Sequence, residues 1–142
     1  MLLILSLPVF RGTNVKQESV IQISVVNLLS ILSNAYNFVF FAVPNEGYQL
    51  GLADRNAGRA PTGKDHARMT LLKKMGLTPG VSDLVILAGG RAYCMEVKTT
   101  EGEQSRAQRT FERRCHEIGV PYQIVRSVEE ARYWLMKWGI VE

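Results

Sequence analysis

Three charged residues in the second half of the chain have the types and spacing of a hydrolytic metal site. Asp83 heads one predicted strand, and Glu96 and Lys98 lie two residues apart on the next. Side chains alternate between the faces of a β-strand, so Glu96 and Lys98 point to the same side. Two carboxylates can converge on a hard cation, and a lysine beside them can meet an anionic phosphate or activate water. The pattern predicts a metal-dependent phosphodiesterase site, although a half-buried strand with a solvated Glu and Lys carries the same residues.

The first predicted helix, over residues 18–34, carries an acid on its apolar face. Five apolar residues recur at the helical period and share one direction, namely Ile21, Val25, Leu28, Leu29 and Leu32. Glu18 falls on that same face at the N-terminal end, where an unpaired buried charge would be costly. Two interpretations are open. Glu18 is either a frayed first-turn residue favoured by the helix dipole, or a third acid directed at the site.

The remaining patterns predict a mixed α/β domain. In chain order they are a strand, a helix, a two-stranded hairpin, a helix, a strand and a helix, at residues 38–43, 63–75, 83–98, 105–118, 122–125 and 127–138. Gly89-Gly90 is the hairpin turn, and Ser127 with Glu130 forms a capping box that opens the last helix. A long polar segment reaches Pro61 before the second helix. This order predicts a small mixed sheet flanked by helices.

Size and composition are those of a single globular domain. The chain has 142 residues, with 46% hydrophobic and 21% charged residues. Cys94 and Cys115 belong to no metal-binding spacing, so we expect buried free thiols in a reducing compartment. The apolar segment Met1–Phe10 lacks a basic n-region and a cleavage pattern and is too short to span a bilayer. We therefore expect a cytoplasmic protein without a membrane segment.

Positive charge is concentrated ahead of Asp83. Residues 55–82 carry a net charge of +5, while the last 60 residues balance nine bases with nine acids. The bases of this segment are Arg55, Arg59, Lys64, Arg68, Lys73 and Lys74. They predict contacts with DNA phosphates, and a solvated surface is the alternative. Gly58–Lys64 fits the P-loop pattern, but Asp65 follows where Ser or Thr would bind Mg²⁺, so we expect no nucleotide cofactor.

Taken together, these segments resemble the VRR-NUC family of the PD-(D/E)xK nuclease superfamily, from about residue 18 to residue 138. The segments that carry the resemblance are Glu18-x-x-x-Gln22, Val43–Gly47, Gly76–Asp83, Glu96-Val97-Lys98, Ser105-x-x-Gln108 and Val125-Arg126-Ser127. Ser82 stands where the superfamily has the proline of its "PD" motif. That proline shapes a turn and does no chemistry, so the departure has little consequence.

The resemblance implies a restriction-endonuclease-like αβββαβ core over residues 18–142, after an N-terminal extension over 1–17 that is a strand or disordered. It implies that Glu18, Asp83 and Glu96, with the backbone carbonyl of Val97, bind one or two Mg²⁺ or Mn²⁺ ions. Lys98 would orient or deprotonate the attacking water. Gln108 would position Lys98 or that water.

The implied function is a metal-dependent DNA endonuclease, selective for branched DNA such as Holliday junctions and acting as a homodimer in DNA repair. The implied setting is the nucleoid or a phage-infected cell. Two alternatives are open. One is a different nuclease specificity, for flaps, nicks, single strands or general duplex. The other is a DNA-binding module or assembly factor that does not cut.

Overall fold

Within residues 14–44 and 62–142, the elements follow the order of an αβββαβ core with one inserted and one appended helix. The computed structural model describes residues 14–44 and 62–142. Its elements are α1 (Asn14–Ala35), β1 (Phe38–Ala42), α2 (Gly63–Lys74), β2 (Leu84–Ala88), β3 (Arg91–Val97), α3 (Arg106–Glu117), β4 (Tyr122–Val125) and α4 (Val128–Lys137). The insertion is α2 and the addition is α4. The α/β class and the order of core elements expected from the sequence are confirmed.

A four-stranded mixed sheet, in the order β1-β2-β3-β4, places the ends of the strands in register. β1 pairs with β2 and β2 with β3 in antiparallel fashion, while β3 and β4 are parallel and connected through α3. Gly89-Gly90 forms the two-residue hairpin turn, as predicted. At the other end of the hairpin Leu84 lies opposite Met95, which brings the adjacent residues Asp83 and Glu96 side by side.

The main core lies between one face of the sheet and helices α1 and α4. Val25 and Leu29 of α1 are fully buried there against the sheet and Leu135 of α4. The other apolar residues predicted for this face of α1, Ile21, Leu28 and Leu32, pack around them. By length and composition alone, Gln17–Ala35 could cross a membrane. In this fold the inner face of α1 packs on the core.

A second, smaller core lies on the opposite face of the sheet under α3. Cys94, Cys115 and Tyr122 are its buried members, with Phe111 beside them. Both cysteines are free thiols, as predicted. Burial, with a smaller effect of Cys94, raises the pKa of the Cys115 thiol to about 12. The thiol therefore stays protonated and packs as an apolar group.

Several element boundaries and one helix cap differ from the sequence predictions, and β2 begins at Leu84 rather than at Asp83. α1 begins at Asn14, so Glu18 lies in the second turn and is not a frayed first-turn residue. Helical spacing in the sequence places Ile118 on the same face of α3 as Phe111 and Cys115, but Ile118 is the residue that ends the helix and is exposed. At the start of α4, Ser127 Oγ accepts the N–H of Glu130, but the Glu130 carboxylate accepts from Arg126 rather than from Ser127.

The predictions for most of the N-terminal extension, for the polar segment up to Pro61 and for Arg55 and Arg59 lie outside the described residues. β1 and β3 end one residue earlier than the predicted strands, at Ala42 and Val97.

Candidate active site

Asp83 ties together the ends of three strands. Its Oδ2 accepts a hydrogen bond from the backbone N–H of Val97 at 2.8 Å, and its carbonyl oxygen accepts the N–H of Val43 at 2.9 Å. The residue is 8% exposed. The side chain is therefore fixed beside the last residue of β3, one position from Glu96. Val97 uses its N–H in this contact, and the ligand role predicted for its carbonyl stays a prediction.

Glu96 is fully buried and hydrogen-bonded at both carboxylate oxygens. Gln108 donates its Nε2–H to Oε1, and the Tyr122 hydroxyl donates to Oε2 at 3.5 Å. Gln104 in turn donates to the Tyr122 hydroxyl oxygen at 3.4 Å and to Glu112 at 2.9 Å. The orientation of the carboxylate is thus set by β4 and α3, not by its own strand alone.

The side chain of Gln108 is itself held by the N-terminal cap of α3. Its Oε1 accepts the N–H of Ser105 at 2.7 Å, and Ser105 Oγ accepts the N–H of Gln108 at 3.2 Å. This reciprocal pair is a capping box. Because the amide oxygen is engaged at the cap, the amide nitrogen points at Glu96.

The loop that leads to Asp83 packs directly on the same turn of α3. Gly80 has φ +75°, and a Cβ built there would lie 2.2 Å from the carbonyl carbon of Ala107 and 2.5 Å from the nitrogen of Gln108. Only glycine allows this approach, for both steric and conformational reasons. The backbone that carries Asp83 and the helix turn that carries Gln108 are therefore in contact.

Lys98 lies between two acids. Its Nζ is 3.3 Å from Oε1 of Glu96 and 3.6 Å from Oε1 of Glu18, and the lysine is 7% exposed. The Glu18 side chain is 28% exposed, so it is the most accessible of the three. The structure therefore brings Glu18 to the site, as the second interpretation of its position predicts. Its contact there is the ammonium group of Lys98.

Burial and a neighbouring acid change the protonation of Glu96. Desolvation, followed by the negative charge of Asp83, raises the pKa of Glu96 from 4.5 to about 8, and the ammonium of Lys98 only partly opposes this. Burial also raises the pKa of Tyr122, and the charge of Glu96 adds to that effect. Tyr122 therefore keeps its proton and remains a hydrogen-bond donor to Glu96.

The donor set fits a hard divalent cation, although three carboxylates are not assembled around one point. Within residues 17–44 and 62–142, no group of three His, Cys, Asp or Glu side chains lies close enough to hold an ion. Asp83 and Glu96 form an adjacent pair, and the charge of Asp83 helps to raise the pKa of Glu96. A cation between them would remove this repulsion, and oxygen-only donors suit Mg²⁺ or Mn²⁺. The ligand role predicted for Glu18 stays a prediction.

The described part of the basic segment forms an exposed helix. Thr62 and Asp65 form a capping box at the start of α2, and no residue of this helix is buried. Lys64, Arg68, Lys73 and Lys74 are all solvent-exposed on it. Their exposure allows contact with an external polyanion, and their role in DNA binding stays a prediction.

Two contributors to the site were missed in the sequence, Tyr122 and Arg126. Tyr122 reaches Glu96 because β4 pairs in parallel with β3, with Glu96 opposite Ile124. Arg126, which follows β4, donates hydrogen bonds to the loop after Lys98. No local pattern marks either residue, since both contacts depend on the register of a parallel pair. The Val125-Arg126-Ser127 segment was the one available signal.

Comparison with known proteins supports the fold. A scan against protein-family models and a search of curated proteins find no match to this chain. The structure is similar to a solved structure described as a VRR_NUC domain, with a TM-score of 0.51 and 15% sequence identity. The alignment covers 85% of this chain and 95% of that chain. The chain therefore has the fold of a VRR_NUC domain, the family that its sequence motifs resemble.

Proposed function

We propose that this protein belongs to the VRR-NUC nucleases and is a metal-dependent deoxyribonuclease that hydrolyses phosphodiester bonds. The observation that carries this proposal is the convergence of Asp83, Glu96, Lys98 and Gln108 from three different elements at one end of the sheet. Two adjacent buried acids and a buried lysine are costly to keep without a function, because each charge loses its hydration.

Each residue has a role that its contacts support. Asp83 and Glu96 would hold a Mg²⁺ or Mn²⁺ ion, which would supply Lewis-acid stabilisation of phosphate oxygens. Lys98 places its ammonium next to Glu96, where it can orient the attacking water and offset charge on the phosphate. Gln108 fixes the carboxylate of Glu96. Glu18 pairs with Lys98 and keeps its ammonium at the site.

The substrate proposed is DNA, and the exposed basic residues of α2 support that choice. This helix precedes the loop that leads to Asp83. Its positive charge comes from Lys64, Arg68, Lys73 and Lys74. Phosphate contacts of this kind provide affinity without sequence preference. Selectivity for branched DNA, including Holliday junctions, and action as a homodimer are the finer parts of the proposal, since a two-fold enzyme suits a two-fold substrate.

The experiment is cleavage of three labelled DNAs of matched sequence, a four-way junction, a 5′ flap and a linear duplex, with Mg²⁺, Mn²⁺ or EDTA. The proposal predicts cleavage with either metal, none in EDTA, and the fastest rate on the junction. Equal rates on all three substrates would refute branch selectivity but would still support nuclease activity. DNA binding without any cleavage would instead support the non-catalytic DNA-binding module.

A further inference from the structure

Arg126 makes hydrogen bonds to the backbone of the loop that follows Lys98. Its Nη1 donates to the carbonyl oxygens of Thr99, Thr100 and Gly102, the last two at 3.3 and 2.9 Å. All three acceptors belong to one short segment, which we name the 99–102 loop. A planar guanidinium suits this task because its N–H groups have fixed directions and keep their charge at any working pH. Arg126 therefore supports the turn after Lys98 together with the loop's own hydrogen bond, from the N–H of Gly102 to the carbonyl oxygen of Thr99 at 3.1 Å.

The 99–102 loop is also in contact with Glu18. A Cβ built on Gly102 would lie 3.0 Å from Oε1 of Glu18 and 2.9 Å from Oγ1 of Thr99. The same Oε1 atom is the one that lies 3.6 Å from Nζ of Lys98. The position of the loop backbone consequently limits where the carboxylate of Glu18 can lie, and with it the ion pair that Glu18 makes with Lys98.

The side chain of Thr99 does not hold the loop in place. Its Oγ1 is buried and has no hydrogen-bond partner among the described residues. A buried hydroxyl without a partner disfavours the conformation that contains it, so other contacts must stabilise that conformation. The hydrogen bonds from Arg126 to three carbonyl oxygens are charge-assisted and can do so.

We propose that Arg126 is a positioning residue of the active site, which acts through the 99–102 loop to set the Glu18–Lys98 pair. Arg126 makes this contribution without touching DNA. The expected effect of Arg126 on cleavage rests on the proposed nuclease function. Its effect on the conformation of the loop can be measured independently.

The test compares Arg126→Ala and Arg126→Lys with Arg132→Ala, which removes an exposed arginine of α4 and makes the same change in net charge. We expect Arg126→Ala to lower kcat for DNA cleavage roughly tenfold or more, the usual scale for residues that support an active site, with KM changed less than about twofold. Arg126→Lys should give an intermediate kcat, because an ammonium keeps the positive charge but not the reach and planar geometry of the guanidinium. Arg132→Ala should match wild type.

Free guanidinium ion supplies a readout that a general loss of stability would not give. Added guanidinium should restore part of the kcat of Arg126→Ala and should leave Arg132→Ala unchanged. A kcat of Arg126→Ala equal to that of wild type would overturn the proposal. So would a decrease of about one unit in the slope of log Kd for DNA against log salt, since that slope reports a lost phosphate contact.

Hydrogen exchange separates this proposal from the nuclease function. In Arg126→Ala the amides of residues 99–102 should exchange faster than in wild type and in Arg132→Ala, whether or not the protein cuts DNA. Unchanged exchange there would overturn the proposal even if the nuclease function holds. If Arg126→Ala does not fold, Gly102→Ala tests the second step of the proposal, the contact of the 99–102 loop with Glu18. It should lower kcat similarly, and an unaffected kcat would contradict the proposal.

Discussion

The amide of Gln108 connects the helix cap of α3 to the buried acid of β3. Its Nε2 donates to Oε1 of Glu96, and its Oε1 accepts the N–H of Ser105 at 2.7 Å. The two contacts use opposite ends of one side chain. A single residue therefore both stabilises the start of a helix and orients the carboxylate that we assign to the metal.

Substitution of Gln108 by Glu separates these two roles. Glutamate at this position keeps the capping box but cannot donate to Glu96 and places a second negative charge against it. We expect Gln108→Glu to lower kcat by about tenfold to a hundredfold. The control is Ser105→Ala, which weakens the cap by about 1 kcal/mol but keeps the Glu96 contact, so its kcat should stay near that of wild type. Similar kcat values for the two variants would contradict this role.

The raised pKa of Glu96 predicts that the metal-free protein becomes less stable as the pH rises. Its pKa is about 8 in the folded protein and 4.5 in the reference state, so the folded state binds more protons between these values. The free energy of unfolding should therefore fall as pH rises from about 5 to 8, with this residue contributing at most about 1.4 kcal/mol per pH unit. Urea unfolding in EDTA measures it. Glu96→Gln, which cannot titrate, should show a flatter profile; an identical profile would argue against the raised pKa.

The same protonation predicts that metal binding releases a proton. Because a carboxylate must lose its proton to bind a cation, the apparent affinity for Mn²⁺ should increase up to about tenfold per pH unit between pH 6 and 8. Calorimetry in two buffers of different ionisation enthalpy measures the number of protons released. We expect a value close to one at pH 6.5. No proton release at that pH would show that Glu96 is already ionised or is not a ligand.

Gly80 predicts a steric effect that can be separated from backbone strain. Gly80 and Gly90 have nearly equal positive φ angles, +75° and +74°, but only a Cβ on Gly80 meets other atoms, with Ala107 at 2.2 Å. Both Gly80→Ala and Gly90→Ala should therefore destabilise the fold by about 1 kcal/mol or more. Only Gly80→Ala should also displace the Asp83 loop from α3 and lower kcat. Thermal unfolding and cleavage rates, compared between the two variants, check this.

The basic helix predicts a change in the salt dependence of DNA binding. Lys73→Ala combined with Lys74→Ala should weaken binding and reduce the slope of log Kd against log salt by about two units, if each lysine neutralises one phosphate. The control is the pair Arg132→Ala and Lys137→Ala on α4, which removes the same charge at a different surface. An equal loss in both double variants would indicate a general effect of net charge.

Local patterns predicted the elements and the set Asp83, Glu96 and Lys98. The α1 face, the Gly89-Gly90 hairpin and the helix after Ser105 each depend on residues within a few positions of one another, and the structure has all three. The role of Gln108 came from the family resemblance and not from a local pattern, and the pattern of α1 left two interpretations of Glu18 open.

Tyr122 and Arg126 could not be placed in the same way. Their contacts with Glu96 and with the 99–102 loop span more than twenty residues and depend on the parallel pairing of β3 with β4. Helical periodicity also failed at Ile118, where the helix ends and the residue turns to solvent. Local spacing carries no information about the register of a crossover, and periodicity alone does not show at which residue a helix stops.

Cleavage of a four-way junction with Mn²⁺ by wild type, Asp83→Asn and Lys98→Met tests the central claim most directly. Each substitution keeps the approximate shape of the side chain and removes the charge that we assign to the chemistry. Circular dichroism confirms that each variant is folded, and the salt-dependent Kd for the junction confirms that each still binds DNA. We predict metal-dependent cleavage by wild type and a loss of at least about a hundredfold in both variants. Wild-type rates in either folded variant would contradict the assignment of this site.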